Sequence, residues 1–468
     1  MAAANPYPDY KNSGLNWVSR IPAHWETCKL KYAATFNPSR SESIGFRIND
    51  ALVSFLPMKC VTTDGRLKNV EVRNISEVWE GFTYFRRNDV VIAKITPCFE
   101  NGKGGFLNTL PTEIGFGSTE FIVLRAVSHQ TSPAFLAKLL SLKIFRALGA
   151  DAMTGAAGQQ RVPLSFVKNF RVVLPPHAEQ DQIVAYLRAQ DAHIARFIKA
   201  KRELIGLLHE QKLRIIDRAV TRGLDPTAKL KPSGIEWLGE VPEHWKVVHI
   251  GSAVQIVNGY PFESELFDPA IGHPLVRIRD LNRMYTEVQF NGPEVHEAVI
   301  NTGDLIVGMD GDFNAARWRG GRALLNQRMC CLRPRKQIST EYLALVITKA
   351  LKFINDLTLS TTVKHLSSGD VRRLRFPVPG ETEQLQIVAY VEAETAPIND
   401  AIARTKEEIK LIREYRDRLI FDAVTGQVDV RGWQPAPDDA INDDGLAALH
   451  DVNVEPVGEE YVNGHNMV

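Results

Sequence analysis

The sequence predicts an α+β fold: two mixed α/β domains separated by two long antiparallel coiled-coil helices, with a pseudo-twofold internal repeat. Three observations predict it. One motif of fifteen residues occurs twice, a second of fourteen residues occurs twice farther on, and each second motif leads into a long amphipathic stretch. With 468 residues the chain exceeds one ordinary core and is read as several domains.

The repeats come first. Residues 11–25 read KNSGLNWVSRIPAHW and residues 231–245 read KPSGIEWLGEVPEHW, with seven identities at an offset of 220. Residues 174–187 read LPPHAEQDQIVAYL and residues 378–391 read VPGETEQLQIVAYV, with eight identities at an offset of 204. That offset runs without a gap to Ala219-Val220-Thr221 against Ala423-Val424-Thr425. Chance gives about one identity in such a window. Between these anchors, 26–163 and 246–367 share no obvious identity, and the second copy is sixteen residues shorter, the difference between the two offsets. The halves are a shared frame around private interiors. The predicted boundaries are 1–174 for the first domain, 175–225 for the first helix, 226–377 for the second domain, 378–430 for the second helix and 431–468 for an acidic tail.

The helices follow from periodicity. From His177 to Thr221 only Gly206 interrupts the helix formers. Apolar residues fall on positions of a four–three seam: Leu187, Ile194, Ile198, Ile205, Leu208, Ile215, Ala219. The second copy reads Val391, Ile398, Ile402, Ile409, Ile412, Leu419, Ala423. That is a coiled-coil seam. About 45 helical residues span roughly 65 Å, more than a domain's own core needs, so the two helices are expected to pack antiparallel and hold two domains apart. Lys201 and Thr405 share one seam position, and Lys212 and Arg416 another. Such side chains either snorkel to solvent or fix the register.

The interiors read as more strand than helix. Val90-Val91-Ile92-Ala93 and Leu305-Ile306-Val307 follow Asn88-Asp89 and Gly303-Asp304 turns. Phe121-Ile122-Val123-Leu124 and Met329-Cys330-Cys331-Leu332 read as buried strands. Helices are expected over 132–148 and 340–357. Loops at 101–105 and 310–314 are rich in glycine and polar residues. The tail from about Gln434 carries Pro, Asp and Asn and is expected to be disordered. The N-terminal stretch lacks a signal peptide's pattern and no long apolar run occurs, so a cytoplasmic protein without membrane partners is expected. Cys28, Cys60, Cys98, Cys330 and Cys331 form no C-x-x-C pair, which argues against zinc or a disulfide scaffold and for reduced, buried thiols.

The formal net charge of +1 excludes a protein that coats nucleic acid nonspecifically; binding to DNA would need local patches or partners. Catalytic constellations are missing: no phosphate-binding G-x-x-x-x-G-K-[ST], no G-x-S-x-G, H-E-x-x-H or H-x-E…P-C-x-x-C. Asn5-Pro6-Tyr7 only partly matches the element used in adenine methylation. His24 and His244 recur between Pro and Trp and, with Trp17, Trp25, Trp237 and Trp245, are read as packing at the helix–domain junction.

The twice-repeated order of K-x-S-G-x-x-W-x-x-x-x-P-x-H-W, variable domain, P-x-x-x-E-Q-x-x-I-V and long helix resembles the specificity subunit of type I restriction–modification systems, over about residues 10–430. The resemblance implies that the variable stretches are target recognition domains reading double-stranded DNA. It implies that the helices space them and dock two modification (methyltransferase) subunits, and that restriction (endonuclease/translocase) subunits join. It also implies no catalytic residue, metal or cofactor of this chain's own. S-adenosylmethionine would sit in the modification subunit, and ATP and Mg in the restriction subunit. Two different interiors then imply an asymmetric bipartite target. The rival readings are a duplicated protein-binding scaffold and the recognition subunit of a related bipartite restriction enzyme.

Base and phosphate contacts call for Arg, Lys, Asn and Gln. The candidates are Lys94, Asn101, Lys103, Gln159, Gln160 and Arg161 in the first domain. In the second they are Arg277, Arg279, Asn314, Arg317, Arg319, Arg322, Gln327, Arg328 and Lys364. The run Arg317-Trp318-Arg319-Gly320-Gly321-Arg322 stands out for three arginines around an aromatic and a glycine pair. Because the order domain–helix–domain–helix closes on itself, the N-terminal segment is expected to pack near the end of the second helix, around Asp429.

Overall fold

In the computed structural model the described residues are 6–63, 65–156, 158–311, 313–335, 337–357, 365–436 and 449. They form two compact units: Met1–Lys201 gathers with Glu407–Asp451, and the other is built on Arg202–Lys406. Of the expected acidic tail only 431–436 and 449 are described, and its start is ordered against expectation, because Trp433 packs on the first core and Gln182 donates to its carbonyl; Lys364 lies outside the described residues.

In the first unit β1 (Tyr10–Asn12) pairs antiparallel with β2 (Arg20–Pro22). Next come β3 (Glu26–Lys29), β4 (Ala34–Phe36), β5 (Leu52–Leu56) and β6 (Glu71–Asn74). They lead to β7 (Thr83–Arg86), β8 (Val90–Ala93), β9 (Gly104–Phe106), β10 (Ile114–Gly117) and β11 (Phe121–Ala126). β12 (Arg171–Leu174) returns to pair with β3. One four-stranded sheet has the order β4-β11-β8-β9 and a second the order β6-β5-β10-β7, in which β5 and β10 are parallel.

The second unit repeats the frame with β13 (Leu230–Pro232), β14 (Glu240–Pro242) and β15 (Lys246–His249). Its interior holds β16 (Val254–Asn258), β17 (Phe267–Asp268), β18 (His273–Val276), β19 (Gln289–Phe290) and β20 (Val299–Ile300). β21 (Leu305–Gly308), β22 (Asn314–Arg317), β23 (Ala323–Leu325) and β24 (Met329–Pro334) follow, and β25 (Arg375–Val378) pairs with β15. The sheet orders are β16-β24-β21-β22 and β17-β19-β18-β23-β20, with β18 and β23 parallel. The two interiors, without recognisable identity, therefore share one sheet plan.

The apolar runs are continuous because both faces of the main sheet are covered. In β8, Val90 and Ile92 join one core and Val91 joins another. In β24, Cys330 and Leu332 face the core under the helices, while Met329 and Cys331 face a second core. Cys330 and Cys331 thus lie on opposite faces, and burial pushes the Cys330 thiol up to about 12. Only Cys60, Cys330 and Cys331 are buried; Cys28 and Cys98 are half-buried, a departure from the expectation for all five. The single helix expected over 132–148 is two, Pro133–Ser141 and Lys143–Asp151. Leu142 between them is extended (φ −59°, ψ 132°) and buried, which turns the second helix so that Phe145 enters the core.

The long helices run His177–Arg222 and Glu381–Val424. Pro397 lies inside the second; it denies the carbonyl of Ala393, an exposed residue, its helical donor. The seam residues Leu187, Ile194, Ile198, Ile205, Val391, Ile398, Ile402, Ile409 and Leu419 are buried. Leu208, Ile215 and Ile412 are only half-buried, and Ile216 takes the buried place expected of Ile215. A strict heptad drifts around a straight α-helix, and near its end the first helix turns Ile216, Ala219 and Val220 to the second domain's core. In the first unit, Asp191 meets Arg416 at 2.6 Å and Lys201 meets Glu408 at 2.6 Å, so these stretches run antiparallel. In the second unit Lys212 donates to Asn399 Oδ1 at 2.8 Å. Lys212 and Arg416 do not snorkel; both bond across the helix pair.

Candidate nucleic-acid interface

Matched residues mount each domain on its helix. Glu179 accepts hydrogen bonds from Trp25 Nε1 (3.1 Å) and from the Tyr7 hydroxyl, and lies 2.9 Å from His24 Nε2. Glu383 accepts from Trp245 Nε1 (3.0 Å) and lies 3.0 Å from His244. Gln180 accepts from the Ser132 amide and donates to the Gln130 and Pro175 carbonyls. Gln384 does the same with Ser339, Gln337 and Pro379. These partners explain the E-Q pair of the repeated motif: a buried carboxylate and amide need fixed donors and acceptors. His24 and His244 are junction residues, as expected. The closure expected near Asp429 is present too. Tyr10 donates to the Gly426 carbonyl at 3.0 Å, Gln427 donates to the Arg20 carbonyl at 3.0 Å, and Arg431, which chelates Asp429, lies over the Tyr7 ring.

A second matched pair fixes the central strand. Asp89, just before β8, takes Nε and Nη2 of Arg125 from β11 at 2.7 and 2.9 Å. Asp304, just before β21, takes Nε and Nη2 of Arg333 from β24, the latter at 2.6 Å. Burial works against the Asp304 charge, but Arg333 and the Asn301 amide hold its carboxyl below the usual range.

The opposite end of that strand gathers many of the sequence-selected residues. In the first domain the Ala93 amide donates to the Lys103 carbonyl, Lys94 to Glu120, Thr96 to Gln160 and Val162 to Lys94. Lys94, Lys103, Gln160 and Arg161 are thereby brought together, with Gln159 and Asn101 on the same loops. Arg161 grips Glu120 through Nη2 at 2.8 Å and Nε at 3.1 Å, and this holds the Glu120 carboxyl below its ordinary range.

In the second domain the Met309 amide donates to the Arg328 carbonyl, the Leu366 amide donates to the Met309 carbonyl, and Asn314 stands opposite Gly308. The backbone pattern equates Lys94 with Met309, Lys103 with Asn314, Glu120 with Arg328 and Arg161 with His365. Asp310 lies 2.7 Å from His365 Nδ1 and 3.5 Å from Arg328 Nε. Gln327 and Arg328 are exposed, and the buried Oδ1 of Asn314 has no hydrogen-bond partner among the described residues. The same scaffold positions thus carry different polar side chains in the two domains.

The remaining candidates are scattered. Arg277 donates its backbone amide to Asp280 at 3.0 Å and its side chain to Glu287 at 3.1 Å, and Arg279 faces the same Glu287. The six-residue arginine run does not form one patch. Trp318 is a core residue whose indole N–H donates to Gly321. Arg317 turns to Glu341, Arg322 to Glu294, and Arg319 is exposed without an ion pair to a described residue. Sequence reasoning missed Glu120, Asp310, His365 and the two Asp–Arg pairs. The pairs left a signal: Asp before the hydrophobic strand and Leu-Arg ending the next one, in both halves. Among the described residues no helix is long and apolar enough to cross a membrane.

Comparison with known proteins bears on this arrangement. The family described as type I restriction modification DNA specificity domain matches residues 63–205 and 242–411. The specificity subunit of the type I restriction enzyme EcoEI from Escherichia coli is 37% identical over 166 residues, 35% of this chain and 27% of that protein. The EcoAI specificity subunit, also from E. coli, is 22% identical over 467 residues, 80% of this chain and 77% of that one. For EcoBI the chain matches 43% of the relative's length at 32% identity. A chain from a solved type I R-M system, described by its complex assembly and conformational transition, superposes with a TM-score of 0.61 at 17% identity. That match covers 87% of this chain and 99% of the other, and it shows a shared fold.

Proposed function

The chain belongs to the type I restriction–modification DNA specificity family, and from that premise we propose that it is the DNA-reading subunit of such a complex and performs no chemistry itself. Each domain reads one part of an asymmetric bipartite target. The helices dock two modification (adenine methyltransferase) subunits, and restriction subunits join them. S-adenosylmethionine belongs to the modification subunit, and ATP with Mg to the restriction subunit.

One observation carries this reading. The side chains that mount the domains are duplicated, whereas the polar side chains at the end of β8 and β21 are not, although their backbones match. A duplicated mount suits two identical partner subunits. Unlike side chains on one scaffold suit two different stretches of DNA, because base edges are told apart by donor and acceptor pattern.

The test is methylome sequencing of a host expressing this chain with its modification partner. The expected result is one two-part motif methylated at adenine on both strands. Exchanging residues 26–163 for another such interior should change one half of the motif alone. Absence of any DNA-dependent complex in a gel shift would favour a protein-binding scaffold.

A further inference from the structure

We infer that Arg161 and Arg328 each read a guanine, one in each part of the target, and that Glu120 and Asp310 align them for it. This rests on the proposed DNA-reading function and adds the residues, the base and the mode of alignment.

The geometry carries it. A guanidinium reads guanine O6 and N7 with two parallel donors, and such a fork discriminates only when its plane is held. Arg161 is held: Nε and Nη2 are committed to Glu120 and Nη1 lies 3.3 Å from the Gln159 carbonyl. Its side chain is still 45% exposed. Five N–H donors exceed these three contacts, which leaves outward donors on both terminal nitrogens. Glu120 is itself positioned, because its backbone carbonyl receives the Lys94 amide.

Arg328 stands at the scaffold position that Glu120 occupies in the first domain. Its side chain is 53% exposed and its Nε faces Asp310 at 3.5 Å. His365 Nδ1 lies 2.7 Å from the same carboxylate and 3.3 Å from Arg328 Nη1, so acid, imidazole and guanidinium form one cluster. The backbone adds an independent observation. Arg328 has φ +72°, a region that favours glycine and is uncommon for other residues. Strain of this kind gathers at functional positions. The side chain is exposed and joins no core, and its polar partners among the described residues, Asp310 and His365, lie at the same loop edge. An arginine kept where glycine would be easier is explained by what it touches in a complex. The two domains therefore offer an acid-aligned arginine on the same sheet edge but from different segments, which would place the two guanines differently within their half-sites.

The test uses the complex of this chain with its modification subunit and a randomised-DNA selection at fixed salt. Arg161→Ala should lower preference for guanine at one position of one half-site by about 5- to 150-fold and leave the other half unchanged. Arg328→Gly should do the same in the other half while the protein melts no lower than the parent, since glycine relieves the φ. Glu120→Gln should blunt the same position as Arg161→Ala without weakening binding to unrelated DNA, because it removes a negative charge. A wild-type complex with no sequence preference removes the DNA-reading function itself. A wild-type complex that selects a bipartite site, with variants that weaken all sequences equally or leave the guanines untouched, overturns this inference alone.

Discussion

The junctions at Glu179 and Glu383 match in their Trp, His, Glu and Gln side chains, whereas the loop clusters at the ends of β8 and β21 match only in backbone. At the junctions, Trp25 and Trp245 are fully buried and bond equivalent carboxylates. At the loops, Glu120 and Arg161 face Arg328 and His365 across the comparison. A buried, fully bonded group tolerates little change, while an exposed loop on a rigid sheet tolerates much. The difference teaches where this chain is free to vary: side chains diverge where backbone hydrogen bonds alone set the shape.

That contrast is open to attack, beginning with its largest effects. Trp25→Ala and Trp245→Ala should each cost about 3–5 kcal/mol, read as a drop in the unfolding midpoint. Equal costs support equivalent junctions, and tolerance of one would break the parallel. Asp89→Ala should cost about 3 kcal/mol, since the Arg125 side chain is 13% exposed and would keep only the more exposed Glu42 as its carboxylate partner among the described residues. Asp304→Ala should cost less, since the Arg333 side chain is 32% exposed and water can replace the lost partner. Glu179→Ala should cost more than Glu383→Ala by about 1–3 kcal/mol, because Tyr7 is a third donor that the second junction lacks. Equal losses would mean that Tyr7 contributes nothing.

A smaller effect separates the halves by pH. Burial opposes the Asp191 charge, but Lys138 at 3.1 Å and Arg416 at 2.6 Å outweigh it and hold the carboxyl at about 2. A folded value below the unfolded one, near 4, gives stability that is present above about pH 4 and is lost as pH falls toward about 2. The matching position in the second helix is Thr395, which does not titrate. Asp191→Asn should therefore remove about 2 kcal/mol at neutral pH and flatten the acid limb of the stability curve over that window. An unchanged acid limb would show that Asp191 is no such anchor. At the small end, Arg319→Ala should shift stability by no more than about 0.5 kcal/mol.

Much of this was legible in the sequence because it rests on local pattern. The E-Q-x-x-I-V repeat marked both helices to within a few residues, and the S-G-x-x-W…P-x-H-W repeat marked both mounts. The closure of residues 10–25 on residues 426–431 followed from the order of the motifs. The candidate site was half legible. Residue type pointed to Lys94, Lys103 and Arg161, which the first domain gathers at one sheet edge, and to Gln327 and Arg328 at the matching edge of the second, but equally to Arg277 and Arg322, which are held by acids elsewhere. No local signal ties Arg161 to Glu120, 41 positions away, or Arg328 to Asp310 and His365. The arginine run misled because strand alternation turns Trp318 inward, while separate acids, Glu341 and Glu294, take Arg317 and Arg322.

The sequence by itself determined the duplication, the helices and the frame, since periodicity and repeated motifs act through neighbours along the chain. Only the tertiary structure decided that two interiors without identity share one sheet plan. A sheet is specified by which strands exchange hydrogen bonds and which faces are covered, and many apolar sequences satisfy both. The tertiary structure also decided which charged residues are committed to acids and which stand at the matched sheet edge, because an ion pair depends on distance in space rather than along the chain.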